Sequence, residues 1–441
     1  MTKNNSSDLN NPEVRDIEIV RLASDGTGVG FIEGKVTFVP GMIPGEKGRV
    51  RVVESKKAYQ RAEVIDYTET APARQRPRCT VYRECGGCDL QHLKYEETLK
   101  WKKQWVEDAL ARIGGLRQIR VEPVIGMEDP WRYRNKATLH IDREGRLGYY
   151  RSKTHNLVQF EDCLLLSVKT NERIRRIKEV LKGCGECINY VTFRENHRGE
   201  GLILFACNSK GLKKLTHRIQ DLKKEELFSP DNCSLVITKG DKEFQSNETQ
   251  YLNEYIEDIV FRVSPRAFLQ VNTEQMKKLY ALIFSCVEIQ GKEEIWDLYC
   301  GIGTITLYLA KKAWKLIGIE ENPFAVKDAI ENAKLNNILN ASFIQGKVEE
   351  KLKTLSGHPD IIITDPPRAG MDPLAVQRLL QIKSQKIIYV SCNPATLARD
   401  LKALNCTDGT YPGTYRIQKV QPVDMFPWTN HVETVVLMSR K

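Results

Sequence analysis

From Phe261 onward the chain alternates short apolar runs with amphipathic stretches. "EEIWDLY", "KLIGIE", "ASFIQG", "DIIIT" and "KIIYV" are separated by helical patterns beginning near Thr304, Pro323, Val348, Pro373 and Pro394. Strands that return by way of helices lie parallel, and a parallel sheet needs both faces covered, so this part predicts a doubly wound, Rossmann-like α/β domain. Such sheets bind ligands beyond the carboxyl ends of their strands, which directs attention to the residues just after each run.

At 441 residues the chain is too long for a single core, and its upstream part reads differently. Val14 to about Tyr67 holds short β-type runs punctuated by glycine, such as "GTGVGFIEGKVTFVP" and "GEKGRVRVVES", which suits a small, closed, OB-like β-barrel. Lys47, Arg49, Arg51, Lys56, Lys57 and Arg61 in its later part suit either an RNA-tracking face or a solvated strand face. "APARQRPR" joins the barrel to a cysteine-rich segment. Lys94 to Ile113 has helical spacing, with Tyr95, Leu99, Trp105, Ala109 and Ile113 along one side and Gly114-Gly115 as its stop. In "WRYRNKATLHI", alternation puts Arg132, Arg134 and Lys136 on one face of a strand, as an RNA contact or a solvated edge. Ser167 to Asn253 mixes helices and strands without a chemical motif. The expected division of this multidomain α/β chain is a barrel over 9–68, a mixed α/β central domain over 69–260 and the Rossmann-like domain over 261–441. The helix over 94–113 has the option of packing on the C-terminal domain.

The formal net charge of +10 favours an anionic partner, with nucleic acid the leading class. Apolar runs such as "LILFA" are far too short to span a bilayer, and the polar start "MTKNNSSDLNN" reads as a disordered tail and not a signal peptide. The expectation is a cytoplasmic protein with no membrane association and no evident obligate protein partner. Twelve cysteines in a reducing compartment are more readily metal ligands or catalytic groups than disulfides.

The first strand of the repeated pattern runs into "DLYCGIGT", Asp297 to Thr304, and the second ends at Glu320. Glycines at a strand-to-helix turn let the backbone approach a ligand, and an acidic residue near the end of the next strand suits ribose hydroxyls. A dinucleotide site wants a third glycine where Thr306 stands. S-adenosylmethionine has a ribose and no pyrophosphate, so it fits better than NAD. The fourth strand ends in Asp365-Pro366-Pro367-Arg368; an arginine after that Pro-Pro, where an aromatic residue would stack a base, points away from methylation of an exocyclic nitrogen.

The fifth strand ends at Cys392 in "VSCNPATLARD", where Pro394 fits the first helical position and Asn393 its cap. A cysteine just before a helix N-terminus has its thiolate favoured, and the ligand edge of the sheet is an unusual place for a packing residue. Carbon 5 of uracil is a methylation target that needs such a group. Addition of a thiolate at carbon 6 makes carbon 5 nucleophilic, and a base must afterwards remove the carbon 5 proton. Glu433, at the start of the last strand, is the candidate base.

"CTVYRECGGCDLQ" spaces Cys79, Cys85 and Cys88, and Cys163 follows in "FEDCLLL". Three close thiolates with a distant fourth suit an iron-sulfur cluster or a zinc ion. A zinc ribbon pairing Cys85 and Cys88 with Cys184 and Cys187 is the rival, and leaves Cys79 without a role. Cys207, Cys233, Cys286, Cys300 and Cys406 read as structural.

Taken together, "SPRAFLQVN" at Ser264 to Asn272, "DPPRAG", "VSCNPATLARD" and the cysteine spacing resemble the RNA uracil-5-methyltransferases, specifically the bacterial 23S ribosomal RNA (uracil-5-)-methyltransferases of the RumA type. The resemblance covers nearly the whole chain. It implies a TRAM barrel that binds RNA, a central domain with a 4Fe-4S cluster, and an S-adenosylmethionine-dependent methyltransferase domain. The implied ligands of the cluster are Cys79, Cys85, Cys88 and Cys163. The implied contacts of S-adenosylmethionine are Gln270, Tyr299, Glu320 and Asp365, and the implied nucleophile and base are Cys392 and Glu433. The implied substrate is 23S ribosomal RNA. Two positions depart from the family pattern: Thr304 replaces an asparagine, and Trp428 stands where histidine is frequent, so neither takes over a role. Transfer RNA as the substrate, a radical S-adenosylmethionine methylthiotransferase and a non-catalytic iron-sulfur RNA-binding factor are the rival readings; the second wants a Cys-x3-Cys-x2-Cys spacing that this chain lacks.

Overall fold

The computed structural model describes residues 14–208, 217, 233–239, 242–245, 251–405 and 415–441. The N-terminal stretch read as a tail and Cys406 lie outside the described residues.

The first unit is a closed barrel of β1 (Val14–Leu22), β2 (Gly28–Ile32), β3 (Lys35–Val39), β4 (Lys47–Ser55) and β5 (Tyr59–Glu69), in the order β1-β2-β3-β5-β4. Alternation turns Ile17, Ile19, Ile32, Val39, Val50 and Ala62 into its small core. The basic residues of β4 and β5 are spent in ion pairs on the barrel's own surface. Lys47 meets Glu69 at 2.9 Å, Arg51 meets Glu63 at 3.7 Å and Arg61 meets Glu54 at 3.5 Å, while Arg49 pairs with Asp66. Lys56 shares Glu54 with Arg61, and Lys57 makes no ion pair among the described residues, so the six cations are only partly offset and both sequence readings of this face stand.

Helix α1 (Tyr95–Arg112) is set between the barrel and the C-terminal unit, which rotates its buried face away from the one the apolar spacing predicts. Thr98, Lys102, Trp105, Val106 and Leu110 are buried, whereas Ile113 beyond its end is 45% exposed. Trp105 Nε1 donates to Leu22 O of the barrel at 3.0 Å, and Val106 and Leu110 join Leu397 and Leu401 in the C-terminal core.

The central sheet holds β6 (Lys136–Ile141), β7 (Leu147–Tyr150), β8 (Leu157–Val158), β9 (Ile188–Glu195), β10 (Gly201–Cys207), β11 (Cys233–Lys239) and β12 (Lys242–Gln245), with α2 (Val168–Val180) packed on one face. Its first strand starts later than the alternation predicts. Arg132 adopts φ 54°, and the amide N–H groups of Arg134 and Asn135 donate to Leu165 O and Val271 O, both at 2.8 Å, in place of a ladder. Arg132 itself pairs with Asp162 at 2.6 Å and donates to the carbonyls of Cys163 and Leu166, so the basic stripe is partly a brace for the cysteine segment.

The hairpin of β13 (Leu252–Ile256) and β14 (Ile259–Val263) spans residue 261 and packs into the C-terminal core with α3 (Thr273–Val287). There follow β15 (Glu294–Leu298), α4 (Thr304–Ala310), β16 (Lys315–Glu320), α5 (Pro323–Leu335), β17 (Ala341–Gln345), α6 (Val348–Thr354), β18 (Ile361–Thr364), α7 (Pro373–Ile382), β19 (Lys386–Ser391), α8 (Pro394–Asn405), β20 (Tyr415–Val423) and β21 (Glu433–Arg440). The sheet order β17-β16-β15-β18-β19-β21-β20 is parallel through β19, and the last two strands run antiparallel. The strand order reverses between β15 and β18, where a ligand crevice opens at the carboxyl ends. The antiparallel insertion of β21 beside β19 brings the start of the last strand to that same edge.

Candidate active site

Ser391, the last residue of β19, pairs with Thr434, so Cys392 and Glu433 leave the sheet side by side. Cys392 precedes α8, whose N-terminus is capped by Asn393 Oδ1 accepting from Ala395 N at 3.0 Å. Asn393 Nδ2 donates to Arg368 O at 3.1 Å, which ties the loop after β18 to the loop after β19. Glu433 is buried, and its Oε2 has no hydrogen-bond partner. Burial and the nearby Asp365 raise the Glu433 carboxyl well above its ordinary range, while Arg368 opposes them. Burial, Glu433 and Asp365 push the Cys392 thiol up to about 11, again against Arg368. The helix terminus expected to favour the thiolate is therefore outweighed, because two carboxylates and desolvation act on the same sulfur.

Asp365 follows β18 at the reversal of strand order. Burial, and then Asp297, raise its carboxyl. Asp297 is pushed up to about 7 by burial; its Oδ2 accepts from Thr306 Oγ1 at 2.5 Å, and its Oδ1 is buried without a partner. Tyr299 holds φ 64° at the turn out of β15, a left-handed conformation that a bulky residue rarely adopts. Gly303, at φ 79°, closes the turn, where a Cβ would stand 2.8 Å from the Phe343 ring. Glu320 accepts from Gly301 N at 3.0 Å through Oε2 and from Asn322 N at 2.8 Å through Oε1. Its carboxylate is thus fixed against the glycine turn. Gln270 lies just before α3 and is buried with Oε1 unpartnered. Tyr280 of α3 reaches the turn by donating to Thr304 Oγ1 at 2.8 Å. These buried acceptors, the bent turn and the fixed carboxylate suit a polar, ribose-bearing ligand at the carboxyl edge.

Arg368 and His431 form the wall between two cavities. An Arg368 guanidinium nitrogen lies 2.8 Å from His431 Nε2, and burial followed by Arg368 pushes the imidazole down to about 4, which leaves it neutral. One cavity, of about 420 Å³, is lined by Cys392, Asn393, Arg368 and His431 together with Trp105 and Arg112. Nothing in the sequence spacing singles out His431, which reaches the site only because β21 inserts beside β19.

The second cavity, of about 320 Å³, is lined by Cys79, Cys85, Cys88 and Cys163, with Arg368 and His431 at its far side. Burial raises the thiols of Cys85 and Cys88 and pushes Cys163 up to about 11, and other cysteines of the set add to each shift. Among the described residues no set of three or more His, Cys, Asp or Glu is arranged to hold a metal ion as it stands. Cys184 and Cys187 lie beside Cys207 and not on this cavity. Trp428 braces the same region. It stacks on Trp131 at 4.6 Å between centroids, donates from Nε1 to Pro130 O at 2.9 Å, and accepts through its carbonyl from the amides of Asp89 and Leu90.

The tRNA (Uracil-5-)-methyltransferase family model matches residues 94–441, and a TRAM domain matches residues 10–65. An RNA methyltransferase of Halalkalibacterium halodurans is 36% identical, with 98% of each chain covered, and one of Bacillus cereus is 38% identical, with 97% of each covered. Among solved structures, the tRNA (uracil-54, C5)-methyltransferase of Pyrococcus abyssi in complex with S-adenosyl-L-homocysteine has a TM-score of 0.73 at 28% identity; 96% of this chain and all of that one are covered. Among the described residues no helix is long and apolar enough to cross a membrane.

Proposed function

Because the chain belongs to the RNA uracil-5-methyltransferase family, we propose that it methylates carbon 5 of a uridine in 23S ribosomal RNA with S-adenosylmethionine, through a transient bond between Cys392 Sγ and carbon 6. The pairing that sets Cys392 beside Glu433 at the ligand edge carries this reading. When bound, S-adenosylmethionine supplies an electrophilic methyl group. Gln270, Tyr299, Glu320 and Asp365 would hold it: Glu320 on the ribose, Gln270 and Asp365 as buried acceptors, and Tyr299 through its strained turn.

Cys392 Sγ adds to carbon 6 as the thiolate, its proton passing to solvent, and carbon 5 becomes the nucleophile that takes the methyl group and displaces S-adenosylhomocysteine. Arg368 stabilises the negative charge that develops, since it already favours the ionised forms of both Cys392 and Glu433. After methyl transfer Glu433 removes the proton from carbon 5, and elimination returns Cys392. A buried carboxylate held above its usual range is a stronger base at neutral pH than a solvated one.

Cys79, Cys85, Cys88 and Cys163 would hold a 4Fe-4S cluster. Their convergence on one partly open cavity supports this, since four thiolates there would supply the ligands of a cluster. The cluster would brace the central segment behind Arg368 and His431. The division of labour follows: 9–68 as the TRAM barrel for RNA, 69–260 as the cluster-bearing central domain, and 261–441 as the methyltransferase domain.

Transfer RNA is the second reading, favoured by the description of the matching family and by the Pyrococcus abyssi structure. The test is an incubation of the protein with radiolabelled S-adenosylmethionine and either protein-free 23S ribosomal RNA or transfer RNA, followed by digestion to nucleosides. Label in 5-methyluridine from the ribosomal RNA is expected. Label from transfer RNA alone replaces the substrate with the second one, and label in neither refutes the activity.

A further inference from the structure

The cavity that holds Cys392 does not end at the catalytic unit. It runs past Asn393 and Pro394 to Trp105, Arg112 and Arg21, at the seam between α1 and the barrel. A second hollow, of about 660 Å³, begins at the same two arginines and spreads over the outer face of β1, β2 and β3, where Phe31, Phe38 and Trp101 line it. The alternation that fills the barrel core points Val20, Val29, Phe31 and Phe38 outward. Phe31 pairs with Val36 across the β2–β3 ladder and Val29 with Phe38, so these side chains form one contiguous apolar face. Val20 is 56% exposed and Phe31 54% exposed. Exposed apolar side chains gathered in one place mark a surface that meets a partner.

The charge at the seam says which partner. Arg21 is paired with Asp108, but Arg112 makes no ion pair among the described residues, so its charge is not offset. Burial, and then the like charge of Arg112, lower the Arg21 pKa. One positive charge is left over between the nucleophile's cavity and the aromatic face, whereas Arg49 on β4 is paired with Asp66. Aromatic faces beside an uncompensated arginine match a single strand of nucleic acid, whose bases stack while its phosphates meet cations.

We propose that Arg21 and Arg112 hold the phosphate next to the target uridine, and that a neighbouring unpaired base stacks on Phe31, Phe38 and Trp101. The inference rests on the uridine-methylation reading, because it places the target in the Cys392 cavity. It makes the barrel and α1 one continuous subsite for the nucleotides flanking the target, and it requires those nucleotides to be single-stranded.

The experiment measures binding of a labelled oligouridylate of about ten nucleotides by fluorescence anisotropy across a salt series. Wild type is compared with Phe31→Ala, Arg112→Ala, Arg112→Lys and, on the opposite face, Arg49→Ala. Phe31 is exposed, so its truncation leaves the barrel core intact. Phe31→Ala and Arg112→Ala are expected to bind about tenfold more weakly, with a shallower salt dependence for Arg112→Ala, partial recovery in Arg112→Lys, and no change in Arg49→Ala. No binding by wild type, or equal affinity in Phe31→Ala and Arg112→Ala, overturns the proposal and leaves the apolar face to a protein partner. Binding is read without turnover. Equal affinities with methylation intact therefore sink this subsite alone, and a differential affinity without methylation sinks the uridine reading alone.

Discussion

Cys392 and Glu433 stand next to each other because an antiparallel strand was inserted beside the last parallel one. Ser391 pairs with Thr434, and 41 positions of chain separate two groups that leave adjacent strand ends. In the proposed mechanism the two groups act on neighbouring carbons of one ring. Cys392→Ala is expected to lose turnover by at least about 10⁴-fold while keeping its RNA affinity, because it removes the group that forms the bond. Glu433→Gln is expected to lose about 10²–10⁴-fold and to accumulate a protein–RNA adduct that survives denaturing electrophoresis, since elimination waits on removal of the carbon 5 proton. Turnover by Cys392→Ala, or a Glu433→Gln enzyme without adduct, contradicts the mechanism.

The Glu433 carboxyl also links stability to pH. Burial and Asp365 raise its folded pKa above the unfolded value, so the folded state keeps its proton over a window in which the unfolded chain has lost it. The stabilisation this provides is complete below the ordinary carboxylate range and disappears as pH rises through the raised value. Glu433→Gln keeps the neutral form at every pH. It is expected to melt at the same temperature as wild type near pH 4 and roughly 2–4 °C higher at pH 8, for about 1 kcal/mol retained. Melting curves of the two proteins at both pH values check this, and an equal difference at both shows that the carboxyl does not titrate in that window.

The sheet and its ligand edge were legible in the sequence because parallel strands buried on both faces are written as uninterrupted apolar runs; β18 and β19 show it in "IIIT" and "KIIYVS". The position of Cys392 was legible for the same reason, since a cysteine after such a run stands at the edge. Pairwise effects were not. The sequence suggested a helix terminus that favours the Cys392 thiolate, but Glu433 and Asp365, which outweigh it, converge on the sulfur only through strand order. Likewise the apolar side of α1 misstates its burial, because a helix wedged between two units buries parts of two faces, Lys102 included. The basic run of β4 and β5 could not be weighed without register, which sets each cation opposite a carboxylate.

Lys102 is the least expected residue of α1. It is fully buried, donates to Asp424 Oδ1 at 2.5 Å and to Phe426 O at 3.0 Å, and Asp424 Oδ2 also accepts from Tyr95 at 2.8 Å. These bonds fix the start of the segment that leads through His431 to Glu433. Lys102→Met leaves a buried carboxylate with its cation gone and is expected to cost about 3–5 kcal/mol, read from urea unfolding. Lys102→Met combined with Asp424→Leu is expected to cost less than the single change, because no charge is then left unpaired. A double variant as unstable as the sum of the two singles refutes the coupling.

The cluster proposal predicts about four irons per chain in protein purified without oxygen, with a visible absorption band lost on oxidation or on Cys88→Ser. Its position predicts more. The cysteine cavity and the Cys392 cavity share Arg368 and His431 as a wall, so loss of the cluster alters the wall from behind and leaves the sulfur and the carboxylate in place. Cluster-free protein is therefore expected to bind RNA more weakly and to melt at a lower temperature, while the adduct formed by Glu433→Gln still appears at saturating RNA. A turnover rate that follows the redox state of an intact cluster would instead give the iron a part in the chemistry. The absence of iron from anaerobically purified protein, with all of the cysteines reactive towards alkylating reagents, would leave the cavity as a packing defect lined by thiols.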